Sequence, residues 1–360
     1  NAPRSLHHHG RGFGSIMSGV RMPANPPARV AVPLTLSVSP IRQIGGEIHQ
    51  LAGATMGTTW SVKFVGAATN AHSLRAPIEA ALDRVITQMS PWEPASDLSR
   101  FNASAVASWQ TLPAEFAGVI GCALRIAGET AGAYDPTMGA LVDLWGFGPM
   151  PLPAHRPVQE AVDRARLACG WPQLEFDPAS RRLRRLSAVR LDLNGIAKGF
   201  AVDLVASTLH AAGIRHALVE IGGELSGAGV KPDGTPWWVT IDRPVAGRLS
   251  KAMPLIALHQ LAIATSGSER SFAIGGRQFS HTIGPRTGFP IDNGMLTATV
   301  LHSSCMEADA YATALMVMGP EAGMAFARQH KLAALCLFGP NRGDSEIEER
   351  ISPHLEAMLS

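Results

Sequence analysis

Leu191-Asp192-Leu193-Asn194-Gly195-Ile196-Ala197-Lys198-Gly199-Phe200-Ala201-Val202-Asp203 is the most informative stretch of this 360-residue chain. It predicts a short strand at Leu191–Leu193, a turn at Gly195, and a helix that ends at Gly213 and holds Lys198 in its first turn. Unpaired N–H groups at a helix start favour an anion, and a lysine adds positive charge there. A phosphate-bearing ligand suits such a junction, and so does plain strand–turn–helix packing with no ligand. It is not a P-loop, because GxxxxGK followed by Ser or Thr is absent.

Outward from that stretch the chain alternates between two periods. Thr58–Val65 alternates in the manner of a strand, and residues 73–89 place Leu74, Ile78, Leu82, Val85, Ile86 and Met89 at helical spacing, stopped by Pro91 and Pro94. Residues 114–131 repeat the helical pattern, residues 133–153 read as a long Gly- and Pro-rich loop, and Val158–Cys169 as a short helix ended by Gly170. A further strand precedes Leu191–Leu193 from Leu183 on. Downstream, Ala217–Ile221, Trp237–Ile241, His259–Thr265 and Thr297–His302 read as strands, with a hairpin turning at Gly275-Gly276 between Ser271–Ile274 and Arg277–Ile283. Helices at Glu307–Met318 and Glu321–His330 and a strand at Ala333–Phe338 close the pattern. Mixed elements with hairpin neighbours predict an α+β fold, not a purely parallel sheet.

Composition bounds the rest. Lys plus Arg is 31 against 29 Asp plus Glu, a balance unlike the basic excess of a generic nucleic-acid binder. No apolar run is long enough to span a bilayer. Residues 1–45 hold five Arg, six Pro and no acid, so they read as a disordered leader or linker; residues 46–345 form the domain and 346–360 a C-terminal tail. Cys122, Cys169, Cys305 and Cys336 are far apart with no CxxC, which argues against a zinc site of cysteines.

Four more segments carry candidate chemistry. Gly222-Gly223, after a strand and before Glu224, lets a ligand approach the backbone or simply makes a tight turn. Thr265-Ser266-Gly267 ends a strand in small hydrogen-bonding groups. His281 sits on a strand entering the rigid Gly284-Pro285-Arg286-Thr287-Gly288 loop, where an imidazole can take and return a proton near neutral pH. Asp309 and Thr313, four apart on a helix, share one side and offer hard oxygens suited to Mg²⁺; an Asp near a helix start and a packed Thr explain them equally well.

Taken together and in order, these segments resemble the ApbE family of flavin transferases over about residues 50–340. The resemblance also draws on Met56-Gly57-Thr58-Thr59, Ser96-Asp97-Leu98-Ser99-Arg100-Phe101-Asn102, Tyr134-Asp135-Pro136-Thr137, Leu144-Trp145-Gly146-Phe147-Gly148 and Ala308-Asp309-Ala310-Tyr311-Ala312-Thr313. It implies FAD as substrate, Mg²⁺ as cofactor, and transfer of FMN to a threonine hydroxyl of an acceptor flavoprotein subunit of electron-transport or FMN-binding type, with AMP released. The metal site it implies is Asp309, Thr313 and the carbonyl of Ala197, and the general base is His281. Met56 and Trp92 match flavin-contacting positions; Asp192, Lys198, Gly223, Glu224 and Ser266 are further pocket residues. The family's setting implies a periplasmic or membrane-associated location, although no lipobox cysteine or clear signal peptide is visible in the chain.

Two departures stand out. Gly284 replaces the Asp usual after the family's His-Ile-Ile, and Trp92 stands where the family often has Tyr. Two other functions stay open at this point: a FAD pyrophosphatase that gives FMN and AMP, and a flavin-binding protein without catalysis.

Overall fold

The computed structural model describes residues 29–34, 44–241, 248–249, 252–267, 271–274, 276–340 and 346–359. Its spine is a nine-stranded sheet. In spatial order the strands are Arg248–Leu249, Glu346–Ile351, Ala333–Phe338, Met295–His302, Leu261–Gly267, Glu224–Ala228, Ala217–Ile221, Thr58–Gly66 and Glu47–Thr55. Neighbours are antiparallel except Arg248–Leu249, which runs parallel to Glu346–Ile351. The α+β expectation therefore holds.

The period-two geometry of strands sends alternate residues to two cores. One face presents Val219, Ile221, Ala262, Ala264, Ala298, Val300, Ala334 and Cys336 to the helices Ala68–Met89, Ala114–Glu129, Ala197–Ala211 and Cys305–Met318. Small residues dominate the middle of that face, so the helices lie close on it. The other face presents Leu218, Ile263, Leu301, Leu335 and Leu337 to a small sheet of Val30–Ala31, Leu255–Leu258 and Trp237–Thr240. Because both faces are covered, Met295–Leu301 and Ala333–Phe338 are buried throughout.

Several expectations need correction. Leu191–Leu193 is not a strand. Asn102 takes both ladder bonds of Leu191, donating from Nδ2 to its carbonyl at 2.9 Å and accepting its N–H at 2.7 Å, while the Asp192 N–H donates to the Pro136 carbonyl. A side chain thus replaces a neighbouring strand. The stretch 133–153 is not all loop, since Gly139–Trp145 is a helix that buries Trp145. His259 lies between two strands, not in one, because Gln260 adopts φ 52° and turns the chain. The strand after the Gly275-Gly276 turn stops at Ser280, so His281 lies just beyond it; Gly275 itself is outside the described residues.

Both ends of the domain extend past the expected limits. The segment set apart as a tail supplies the strand Glu346–Ile351 and the helix Pro353–Glu356. At the other end, Val30–Ala31 pairs with Leu255–Ile256, and Arg29 bonds Glu349 at 2.6 Å. The charged sequence Glu346-Ile347-Glu348-Glu349-Arg350-Ile351 shows little intrinsic strand character; tertiary pairing decides it. The remainder of the expected leader lies mostly outside the described residues. Cys122, Cys305 and Cys336 are buried, Cys169 is half-buried, and all four are free thiols.

Candidate functional site

Two helices cross under one end of the main sheet and set the site. Ala197–Ala211 and Cys305–Met318 touch at Gly199: a Cβ there would lie 2.3 Å from the Cys305 carbonyl oxygen and 2.8 Å from the Asp309 Cβ. Only glycine allows this approach. Asp203, about one turn beyond Gly199 on the first helix, anchors the start of the second. It accepts the N–H groups of Cys305 at 2.9 Å and Met306 at 3.0 Å and the Ser304 hydroxyl at 2.8 Å. Three otherwise orphaned donors are thereby satisfied by one carboxylate, a stronger version of an ordinary N-cap. Burial pushes the Asp203 carboxyl up while these bonds pull it down.

Asp309 returns the interaction. Its Oδ2 accepts the Gly199 N–H at 3.0 Å, so it caps the opposite helix instead of its own. It is 3% exposed. One turn on, Thr313 Oγ1 is 3.2 Å from Ser266 Oγ and packs over Gly195, where a Cβ would come within 2.9 Å of that hydroxyl. Lys198 extends from the first helical turn and pairs with Glu224. Glu224 is 2% exposed, and its Oε2 has no hydrogen-bond partner. Burial pushes its carboxyl up, Asp309 adds to that rise, and Lys198 opposes it. Lys198, Glu224, Ser266, Asp309 and Thr313 thus converge, as do the glycines that permit the convergence.

The backbone frames the same end of the sheet. Gly222 and Gly223, at φ 60° and 103°, turn the chain between Ala217–Ile221 and Glu224–Ala228, and the Gly223 N–H bonds Glu220 at 3.0 Å. Gly222 packs on Thr58, the first residue after the turn at Met56-Gly57. Met56 takes a left-handed φ of 46° at that turn and packs on the helix-side core. Ala197 opens its helix with its N–H bonded to the Leu193 carbonyl at 2.9 Å.

Asp192 lies in a neighbouring cavity of about 230 Å³ lined also by Pro91, Asn102, Gly139, Asp143 and Arg190. It accepts the Asn194 N–H at 3.0 Å and Asn194 Nδ2 at 2.9 Å. Burial pushes its carboxyl up to about 6 despite these bonds. Trp92 follows Pro91 and is 54% exposed, so its ring is available for stacking. At that volume the cavity is smaller than the usual ligand pocket of about 300–1,000 Å³.

His281 belongs to a separate module. The hairpin Ser271–Ile274 with Arg277–Ser280 stacks Phe272 on Phe147 at 4.7 Å and Phe279 near Trp145 at 5.5 Å. After His281, the loop closes through Gly284 N–H to the Phe289 carbonyl and Gly288 N–H to the Gly284 carbonyl, both at 2.8 Å, and Trp145 Nε1 bonds the Gly288 carbonyl at 2.9 Å. A Cβ at Gly284 would lie 2.9 Å from Thr287 Oγ1, so this loop is built around the missing side chain.

Two residues escape sequence reasoning. Tyr134 is 4% exposed, its phenol oxygen has no hydrogen-bond partner, and burial followed by the charges of Asp309, Cys122 and Asp192 raises its pKa. It therefore stands electrostatically between the helix crossing and the Asp192 cavity. Asp203 ends the opening stretch, yet its role depends on a helix a hundred residues away. Only the motifs containing them hinted at either.

The donors at the crossing are carboxylate and hydroxyl oxygens beside a helix-start backbone, the hard set that suits Mg²⁺ and not a thiophilic metal. Glu224 also keeps one buried carboxylate oxygen without a hydrogen-bond partner, a position that a further donor or a cation would satisfy.

Comparison with known proteins agrees with this architecture. The ApbE family profile matches residues 56–336. The FAD:protein FMN transferase of Vibrio cholerae is 37% identical over 317 residues, covering 87% of this chain and 93% of that protein. The corresponding Salmonella typhimurium protein is 35% identical over 333 residues, with 91% and 92% covered. Among solved structures, the apo flavinyl transferase ApbE of Pseudomonas stutzeri superposes with a TM-score of 0.78 at 34% identity, covering 87% of this chain and 96% of that one. By sequence and by fold, the chain belongs to the ApbE family.

Proposed function

We propose that this protein transfers FMN from FAD to a threonine hydroxyl of an acceptor protein, with Mg²⁺ as cofactor and AMP as the leaving product. The single observation that carries the reading is the convergence of Lys198, Glu224, Ser266, Asp309 and Thr313 at one helix start. The names of the relatives supply the substrate class.

The roles follow from chemistry. Asp309, Thr313 and the Ala197 carbonyl would hold Mg²⁺, which when bound neutralises charge on the diphosphate of FAD. Lys198 supplies a positive charge at the start of a helix whose dipole also favours the diphosphate. Glu224 restrains that lysine by an ion pair, so its ammonium group is positioned before substrate arrives. Met56 and Trp92 flank the flavin, with Asp192 and Gly223 lining the pocket. His281 takes the proton of the acceptor hydroxyl. The threonine oxygen bonds to the phosphorus of the FMN half, the bond from that phosphorus to the bridging oxygen breaks, and AMP leaves with that oxygen. No oxidation or reduction occurs.

Hydrolysis of FAD by water is the second reading, favoured by one feature: Gly284 offers no carboxylate beside His281 to help orient an acceptor. Incubation with FAD, Mg²⁺ and a threonine-bearing acceptor domain separates the two. A fluorescent acceptor band on a denaturing gel, with AMP in solution, supports transfer; FMN and AMP without a labelled band supports hydrolysis, and intact FAD rejects both.

A further inference from the structure

The two edges of the main sheet differ in a way that points to the acceptor. At one edge, Glu346–Ile351 carries Glu346, Glu348, Glu349 and Arg350 and is partly covered by Arg248–Leu249. Charge and cover are the usual guards against unwanted strand addition. At the other edge, Glu47–Thr55 pairs with Thr58–Gly66 through nine consecutive residues without a bulge, and among the described residues no strand lies beyond it. No Asp, Glu, Lys or Arg occurs between Glu47 and Lys63.

Antiparallel pairing fixes which groups face outward. The two-residue turn at Met56-Gly57 makes Thr55 and Thr58 a hydrogen-bonded pair, so the backbones of Ile48, Gln50, Ala52 and Ala54 point away from the sheet. The side chains of all four are exposed. One outward acceptor, the Ala52 carbonyl, is already taken by Arg75 Nη at 3.2 Å, so the bare groups of this edge are those of Ile48, Gln50 and Ala54 and the Ala52 N–H. The small side chains of Gly53 and Ala54 do not screen the backbone beside them. The strand then runs straight into Met56-Gly57, beside Gly222 and at the sheet end that holds the site.

We infer that the Glu47–Thr55 edge receives an extended segment of the acceptor protein as an added strand, delivering its target hydroxyl toward the Met56 end. This rests on the proposed transfer to a protein. Recognition through backbone groups is largely independent of sequence and needs no charge complementarity, consistent with a strand that carries no charged residue after Glu47. At about 3.3 Å per residue, a few added residues reach from Gln50 to the turn.

The test has two arms, using the whole protein and a recombinant FMN-binding domain of an electron-transport subunit bearing the target threonine. In the first arm, amide exchange is followed by NMR with that domain and without FAD. The amides of Gln50, Ala52 and Ala54 gain protection on adding the domain, while those of Leu51 and Gly53, already in the ladder, do not change. This arm reads docking whether or not transfer occurs, so failure of the transferase reading is separable from failure of docking. In the second arm, Ala52→Pro removes an outward N–H at an edge position where proline is tolerated, and Gln50→Lys adds a guard charge. Each raises the KM for the acceptor about tenfold with FAD affinity unchanged, which for Ala52→Pro is the effect of losing roughly one net hydrogen bond. Absence of alternating protection at saturating acceptor overturns the inference, as does an unchanged KM in a folded Gln50→Lys protein. Protection that rises with enzyme concentration alone, together with dimers in sedimentation, assigns the edge to a second copy and overturns it equally.

Discussion

The helix crossing and the His281 hairpin module are built on different physics. At the crossing, Gly199 lets two helices touch, Asp203 and Asp309 each cap the opposite helix, and the site residues sit in the main core. The hairpin is held by four residue pairs, an aromatic cluster around Trp145 and a few backbone bonds. One region fixes charges in the buried core; the other carries His281, the proposed proton acceptor, just beyond a peripheral hairpin. Binding and chemistry are thus assigned to parts of the molecule that can be perturbed separately.

His281→Ala is the sharpest way to break this division. Transfer should fall roughly 10²- to 10⁴-fold, the usual worth of general base catalysis, with FAD affinity kept. A fluorescence titration beside the rate checks both; loss of FAD affinity in step with rate would erase the distinction between the regions. Asp309→Ala comes next. Loss of one preorganised electrostatic contact predicts a fall of roughly 10²- to 10³-fold. Here the dependence on Mg²⁺ should vanish with activity, and full activity that still requires Mg²⁺ would remove Asp309 from the metal site.

Gly199→Ala tests the packing instead of the chemistry. A Cβ forced against the Cys305 carbonyl should cost about 1–3 kcal/mol by overpacking, read as a lower urea midpoint. Gly284→Ala serves as the contrast: its Cβ meets only the Thr287 hydroxyl closely, so the midpoint should move less.

Asp192 gives the smallest effect and a signed one. Its folded pKa is raised to about 6 from 3.8, so the native state holds more protons across that window. Stability therefore falls as pH rises from about 4 to about 6 and stays level above it. Asp192→Asn should flatten that slope, with the variant gaining on the parent at pH 7.5 and the gain vanishing below pH 4. Paired urea titrations at the two pH values decide it; an equal difference at both would mean the hydrogen bonds to Asn194 dominate.

Much of this was legible in the sequence because it is local. The helix ending at Gly213, the strands Ala217–Ile221 and Ala333–Phe338, and the shared helix side of Asp309 and Thr313 follow from periodicity and stop signals. What the sequence hid depends on distant partners. Asn102, not a neighbouring strand, takes the backbone bonds of Leu191, and neighbours across the sheet turn the charged 346–351 segment into a strand. Asp309 caps a helix a hundred residues away, and Tyr134 gains its unusual environment from Asp309 and Asp192 together. Family motifs point to these residues without saying what they touch.

The most direct test of the central claim is intact-mass and peptide analysis of the acceptor domain after incubation with the protein, FAD and Mg²⁺. The account predicts that one threonine gains the mass of FMN less one water, with an equal amount of AMP released. An acceptor of unchanged mass, while FAD is converted to free FMN and AMP, would contradict it.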